Sequence, residues 1–169
     1  MAETWIHHYT PESKQQPKQC TEAGCSAPKK TRSVPSAGKV MASVFWDAEG
    51  ILFIDYLEKG KTITGEHYSN LLTRLDKEIH EKRSCLQKKK IIFHQDSAPA
   101  HKSVLAMGKL RDLHYELLEH PTYSPDFAPS DYCLFPKLKL FLAGQRFSSN
   151  QEAIAAVRGV FCRSYEAPL

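Results

Sequence analysis

Asp96 and Asp131 are the residues of this chain best suited to act together on a substrate. They lie in HQDSAPAH (His94 to His101) and HPTYSPDFAPSDY (His120 to Tyr132), with thirty-four residues between them. Asp96 comes three residues after the apolar run Ile91-Ile92-Phe93, and the C-terminal ends of strands are where open α/β sheets place ligands. Asp131 follows Ser130, which reads as a helix N-cap, so its carboxylate is expected to project from a first helical turn. Oxygen-only ligands favour Mg²⁺ or Mn²⁺. Two such ions about 4 Å apart activate a water or hydroxyl and stabilise a leaving oxygen in phosphodiester displacement. A third carboxylate is normally needed, and the N-terminal segment Met1-Ala2-Glu3-Thr4 offers no aspartate. Taken alone, two aspartates in loops also read as turn formers.

The elements that must position these acids are legible in outline. Trp5 to Tyr9 reads as a strand. Lys39 to Asp47 and Ile51 to Leu57 read as a hairpin around the turn Ala48-Glu49-Gly50. Tyr68, Leu71, Leu72, Leu75 and Ile79 form one apolar stripe on a helix predicted over 65–84, with Thr64 as its cap. A strand at 91–93, a helix over 99–110, a strand at 115–118, a helix from Ser130 to about Ala143 and a last helix from near Asn150 complete the order. Pro136 either kinks the fourth of these or marks its regular start. A hairpin followed by alternating helices and strands predicts an α/β fold, a mixed sheet with helices packed on it. With no internal repeat and no second core, residues 1–169 read as one domain. Its 169 residues suit a sizeable core.

The segment from Thr10 to Gly38 holds four prolines, two glycines and almost no apolar periodicity. A loop this long is functional or disordered. Between Thr10 and Val40 there are six Lys/Arg, among them Lys29, Lys30, Arg32 and Lys39, against two Glu, so the segment either follows a phosphate backbone or is a solvated loop. The net charge of +4 is mildly basic and diagnoses nothing by itself. No apolar run approaches the length of a membrane span, and no signal peptide is visible. A nuclear or cytoplasmic location is the expectation, not secretion. Cys20 and Cys25 with His7 and His8 suggest zinc, but a four-ligand set at finger spacing is missing. Five cysteines without C-x-x-C read as free thiols in a reducing compartment.

Other residues near the acids have two readings each. His94 and His101 lie near a metal or phosphate, or else satisfy local backbone groups. Asp126 is read as a turn residue rather than a ligand. Tyr123 and Ser124 are candidate DNA contacts. Lys88 to Lys90 bind phosphate or form a solvated strand entry. Trp5, Phe45, Trp46 and Phe53 are assigned to the core rather than to base stacking.

The flanking residues narrow the field. ETWIHHYTPESKQQ, SAGKVMASVFWDAEG, FIDYLEKGKTITGEHYSNLL, FHQDSAPAHKS, HPTYSPDFAPSDYCLFPKLK and RFSSNQEAI resemble the catalytic domain of mariner-type transposases, over essentially the whole chain. The spacing of Asp96 and Asp131 is the one that marks the mariner group. The resemblance implies a ribonuclease H-like fold, of the retroviral integrase superfamily. It implies Mg²⁺- or Mn²⁺-dependent DNA strand cleavage and strand transfer, with transposon ends and target DNA as partners. It makes Asp96 the second catalytic aspartate and metal ligand and Asp131 the third. The first would precede the Glu of the ETW segment, and here that position is Ala2. Glu3 is a poor substitute, because adjacent strand residues point to opposite faces. The 10–38 loop resembles the family's clamp loop, which implies a homodimer.

Several departures accompany Ala2. Cys20 stands where the clamp loop usually has Trp, Glu22-Ala23-Gly24 replaces a Pro-Gly turn, and Ser97 replaces Asn. No counterpart of the family's paired helix-turn-helix region precedes the domain. The same catalytic domain also occurs fused to a histone methyltransferase, and nothing in this chain resembles a methyltransferase. The expectation is therefore an impaired catalytic domain with a weakened metal site. The alternatives are a domesticated non-catalytic DNA-binding or dimerisation module, and an active transposase whose native N-terminal residues are not in this chain. No membrane partner and no small-molecule substrate is expected.

Overall fold

A computed structural model describes residues 1–12, 34–86, 89–118, 120–121 and 124–165. Three antiparallel strands form the main sheet in the order β1 (Ala2–His7), β2 (Lys39–Asp47), β3 (Gly50–Tyr56). Ala2 pairs with Val44 and His7 with Lys39. The β2–β3 turn is one residue tighter than the sequence suggests, because Gly50 opens β3 opposite Asp47. Gly50 has φ +133°, a conformation that a side chain disfavours, and Asp47 Oδ1 accepts from the Glu49 N–H at 2.8 Å. Phe45 pairs with Phe53 but Trp46 with Ile51. That bulge lets the adjacent Leu52 and Phe53 both enter the same buried cluster.

Helix α1 (Gly65–Lys82) is capped by Thr64, whose Oγ1 accepts from His67 N at 3.2 Å, and it buries the expected stripe. A short parallel pair, β4 (Ile92–His94) and β5 (Glu116–Leu118), follows. The Met1 nitrogen donates to the His94 carbonyl at 2.7 Å, which lays the start of β1 beside the end of β4. Helix α2 (Val104–Asp112) begins later than predicted, because Ser103 caps it through a bond from Ala106 N. Pro99 to Ser103 instead form turns held by Ala98 O.

The third predicted helix also splits. Residues Ser130–Leu134 form a π-helical turn, and the regular helix α3 (Phe135–Leu142) starts with Pro136 in its first turn. Ser130 is not the cap. The cap position is Pro129, with no side-chain cap bond, and the buried Ser130 hydroxyl accepts from Trp46 Nε1 at 2.8 Å. Helix α4 (Asn150–Tyr165) opens on a reciprocal cap, Ser149 accepting from Glu152 N and Glu152 accepting from Ser148 N.

Strand alternation divides the buried side chains into two clusters where the sequence suggested one core. Ile6, Val40, Ala42 and Val44 pack with α3 and α4. Phe45, Leu52 and Phe53 pack with α1, α2, Phe93 and Tyr115. Trp5 belongs to neither. It is 43% exposed, which corrects its assignment to the core. Among the described residues no helix is long and apolar enough to cross a membrane.

Candidate active site

Asp96 lies two residues beyond β4, in the turn-rich stretch that the late start of α2 leaves free. Its Oδ1 accepts from His101 at 2.6 Å and from the Ala98 N–H at 3.0 Å. His101 is 1% exposed, and its other ring nitrogen meets Glu3 Oε1 at 3.0 Å. The imidazole thus bridges carboxylates from β1 and from the β4–α2 connection. Its ring lies against Tyr68, centroids 4.2 Å apart. The Tyr68 hydroxyl donates to Gln95 Oε1 at 2.6 Å, and Gln95 Nε2 donates back to the His101 carbonyl at 3.3 Å.

The electrostatics follow from this packing. Burial disfavours a charged His101, but the hydrogen bonds and charges of Asp96 and Glu3 outweigh it and push the imidazole up to about 9. It is an imidazolium at neutral pH. The His101 hydrogen bond in turn holds Asp96 below the usual carboxylate range, against a partial burial cost and with help from Ala98 N–H. Burial, with the nearby Glu3 and Asp96 charges, raises the Tyr68 phenol, so it stays a donor. His94 forms a second contact, Nε2 to His120 Nδ1 at 3.0 Å. Burial and adjacent positive charge hold His94 below its ordinary value.

Asp131 sits on the exposed side of the π-helical turn, its N–H bonded to Ala128 O at 2.8 Å. The Ser130–Trp46 bond fixes that turn to β2. Ala2 packs against the cluster that includes Leu134 and Phe135, on the side of the sheet where this turn lies. Glu3 therefore points to the other face, toward His101. Asp126 is exposed in a 3₁₀ turn, Pro125–Phe127. Ser124 is described; Tyr123, Lys29, Lys30, Arg32, Cys20 and Cys25, and most of the 10–38 loop, lie outside the described residues. His7 and His8 are engaged by Ser36 O and Asn150 Oδ1. Lys90 pairs with Glu116 at 2.8 Å.

Among the described residues no three His, Cys, Asp or Glu side chains converge to hold a metal ion. Position 2 presents a methyl, Asp96 Oδ1 is committed to two donors, and Glu3 is committed to His101. These residues do not fit a three-carboxylate, two-ion centre. The bridging role of His101 and Glu3 was not anticipated from the sequence. The available signal was an acid on a strand near the first residue and a histidine five residues after Asp96.

A mixed set of strands flanked by helices, with one acid just past β4 and another on the turn leading into α3, defines a ribonuclease H-like fold. The comparisons give the family. Residues 10–89 match the family model for transposase (partial DDE domain). The Mariner Mos1 transposase of Drosophila mauritiana is 36% identical over 149 residues, 87% of this chain and 42% of that protein. The human histone-lysine N-methyltransferase SETMAR is 36% identical over 117 residues, 68% of this chain and 17% of that protein. The crystal structure of the Mos1 mariner paired end complex with Mn superposes with a TM-score of 0.84 at 33% identity, covering 96% of this chain and 47% of that one. The chain belongs to the mariner-type transposases and corresponds to their catalytic domain. It spans less than half the length of these relatives.

Proposed function

We propose that this chain is a catalytically impaired mariner-type catalytic domain that retains DNA binding. The observation that carries the reading is the methyl of Ala2. It stands on the strand and sheet face from which a carboxylate would join Asp131, and it offers no ligand. Losing one of three carboxylates weakens cation binding and misplaces the attacking group, and small misplacements are costly, on the order of 100-fold for about an ångström. Asp96 and Asp131 are the proposed remaining ligands for Mg²⁺ or Mn²⁺, which when bound would supply electrostatic stabilisation to a phosphodiester. The Mos1 structure with Mn supports divalent-ion use as a family trait.

The chain's own residues have narrower roles in this reading. His101 and Ala98 N–H hold Asp96 Oδ1, so only Oδ2 faces a ligand. Glu3 holds His101. The π-helical turn presents Asp131 to solvent. DNA is the proposed partner, since Mos1 forms a paired-end complex with its transposon end. Pairing of two copies through the 10–38 loop belongs to the same proposal. The test is supercoiled plasmid nicking in Mn²⁺. The expected result is nicking no faster than the protein-free background. Nicking that disappears in Asp96→Ala overturns the impairment and restores the reading as an active transposase domain. Plasmid binding without nicking is the outcome expected of a DNA-binding module.

A further inference from the structure

Toward the end of β1 away from Met1, a cleft of 780 Å³ opens between the β2 entry, the chain after β3 and the start of α4. Its floor includes Trp5, Met41 and Leu57, and its rim includes Lys39, Lys59 and Lys61. Trp5 is 43% exposed, which leaves part of the indole open to the cleft. The Lys39 ammonium lies 4.0 Å from the centre of the indole ring. Lys39, Lys59 and Lys61 are all exposed. The one acid in the lining, Glu58, is paired to Lys61 at 2.7 Å, so the balance of charge in the cleft is positive.

We infer that this cleft is a binding site for a single strand of DNA. Trp5 takes the face or edge of an unpaired base and the three lysines take flanking phosphates. An aromatic platform beside cations is the arrangement that single-strand sites use, because every base has a π face and every linkage a charge. Trp5 and Glu3 lie on the same face of β1, two residues apart, which is about 7 Å along the strand. The cleft therefore opens on the sheet face that also carries the Asp96 network. The inference rests on the reading of this chain as a DNA-binding domain, but it uses no residue of the Asp96 site.

The test uses the whole chain carrying Trp46→Phe, which leaves Trp5 as the remaining tryptophan. Oligo-dT is titrated at several salt concentrations, reading indole emission. Anisotropy of a labelled strand on the unsubstituted chain guards against any effect of losing the Trp46–Ser130 bond. The expected result is quenching of Trp5 and an affinity that falls steeply with salt. Lys59→Gln/Lys61→Gln should weaken binding roughly 10-fold and lower the salt slope by about 1.4, from two phosphate contacts at about 0.7 each. Plasmid binding is read in parallel: plasmid binding without oligo-dT binding is failure of this site alone, and loss of both is failure of the DNA-binding reading. Binding that leaves Trp5 emission unchanged overturns the inference. So does binding that is indifferent to the lysine changes, absence of binding, or equal competition by an acidic peptide.

Discussion

His101 concentrates the physical consequences of this sequence at the scale of single residues. It is buried between two carboxylates, bonded to both and stacked on Tyr68. Its folded value of about 9 lies above the ordinary 6.5, so the bridge contributes fully below about pH 6.5 and is lost as pH rises through about 9. Asp96 is shifted the other way, so its contribution is present above the ordinary carboxylate value and lost as pH falls into the acid range. In chelator-treated protein, the urea midpoint should decline between neutral pH and about pH 9, and His101→Asn should flatten that decline. A flat profile in the parent would contradict the charged bridge. His101→Ala removes the buried cation between two acids and should cost about 3 kcal/mol, at the low end for broken buried pairs because Asp96 is half exposed. The position of Asp96 just past a strand was legible because the acid, its apolar strand and its flanks are contiguous. The bridge was not, because Glu3 and His101 are ninety-eight positions apart and only the β1–β4 adjacency joins them.

Element boundaries explain where the site sits. The apolar period gave α1 and its Thr64 cap correctly, since five buried positions at helical spacing leave little choice. It misplaced the start of α2, because Pro99 is compatible with a first helical turn as well as with the turn it occupies. The Ser103 cap decides the matter, and the resulting turn lets His101 reach Asp96. Ser130 misled in the same way. A serine before a helix serves equally well as a cap or as a buried acceptor, and Trp46 claims it. One glycine couples these helices. A Cβ on Gly65 would run into the Ser103 side chain, so Gly65→Ala should disturb the α2 cap and destabilise by about 1–3 kcal/mol despite better helix propensity. Equilibrium urea unfolding measures this, and a stabilised variant would show that the α1–α2 contact is not tight. Trp46→Phe should cost about 1 kcal/mol through the unsatisfied Ser130 hydroxyl, with the loss localised by faster amide exchange in the 130–134 turn.

Across the whole molecule, one sheet separates two apolar clusters, and the acids approach its edge from both sides. Asp131 stands on the turn packed over the α3–α4 cluster, while the Asp96 bridge belongs to the α1–α2 side. The alternation of β1 puts Ala2 with the first and Glu3 with the second, so Glu3 cannot take over the position of its neighbour. That alternation and the Asp96–Asp131 spacing were readable in the sequence. The two-cluster division was less so, because Val44, Phe45 and Trp46 are consecutive and apolar, which conceals which face each one serves. The family relation accounts for the shape, and Ala2 accounts for the proposed loss. The most direct measurement is Mn²⁺-dependent nicking of supercoiled plasmid by the parent chain and by Ala2→Asp, side by side. The account predicts background nicking by the parent and a rise on the order of 100-fold in the variant, abolished again by adding Asp96→Ala. Parent nicking already at the variant's rate, or no gain in a folded variant, would contradict it.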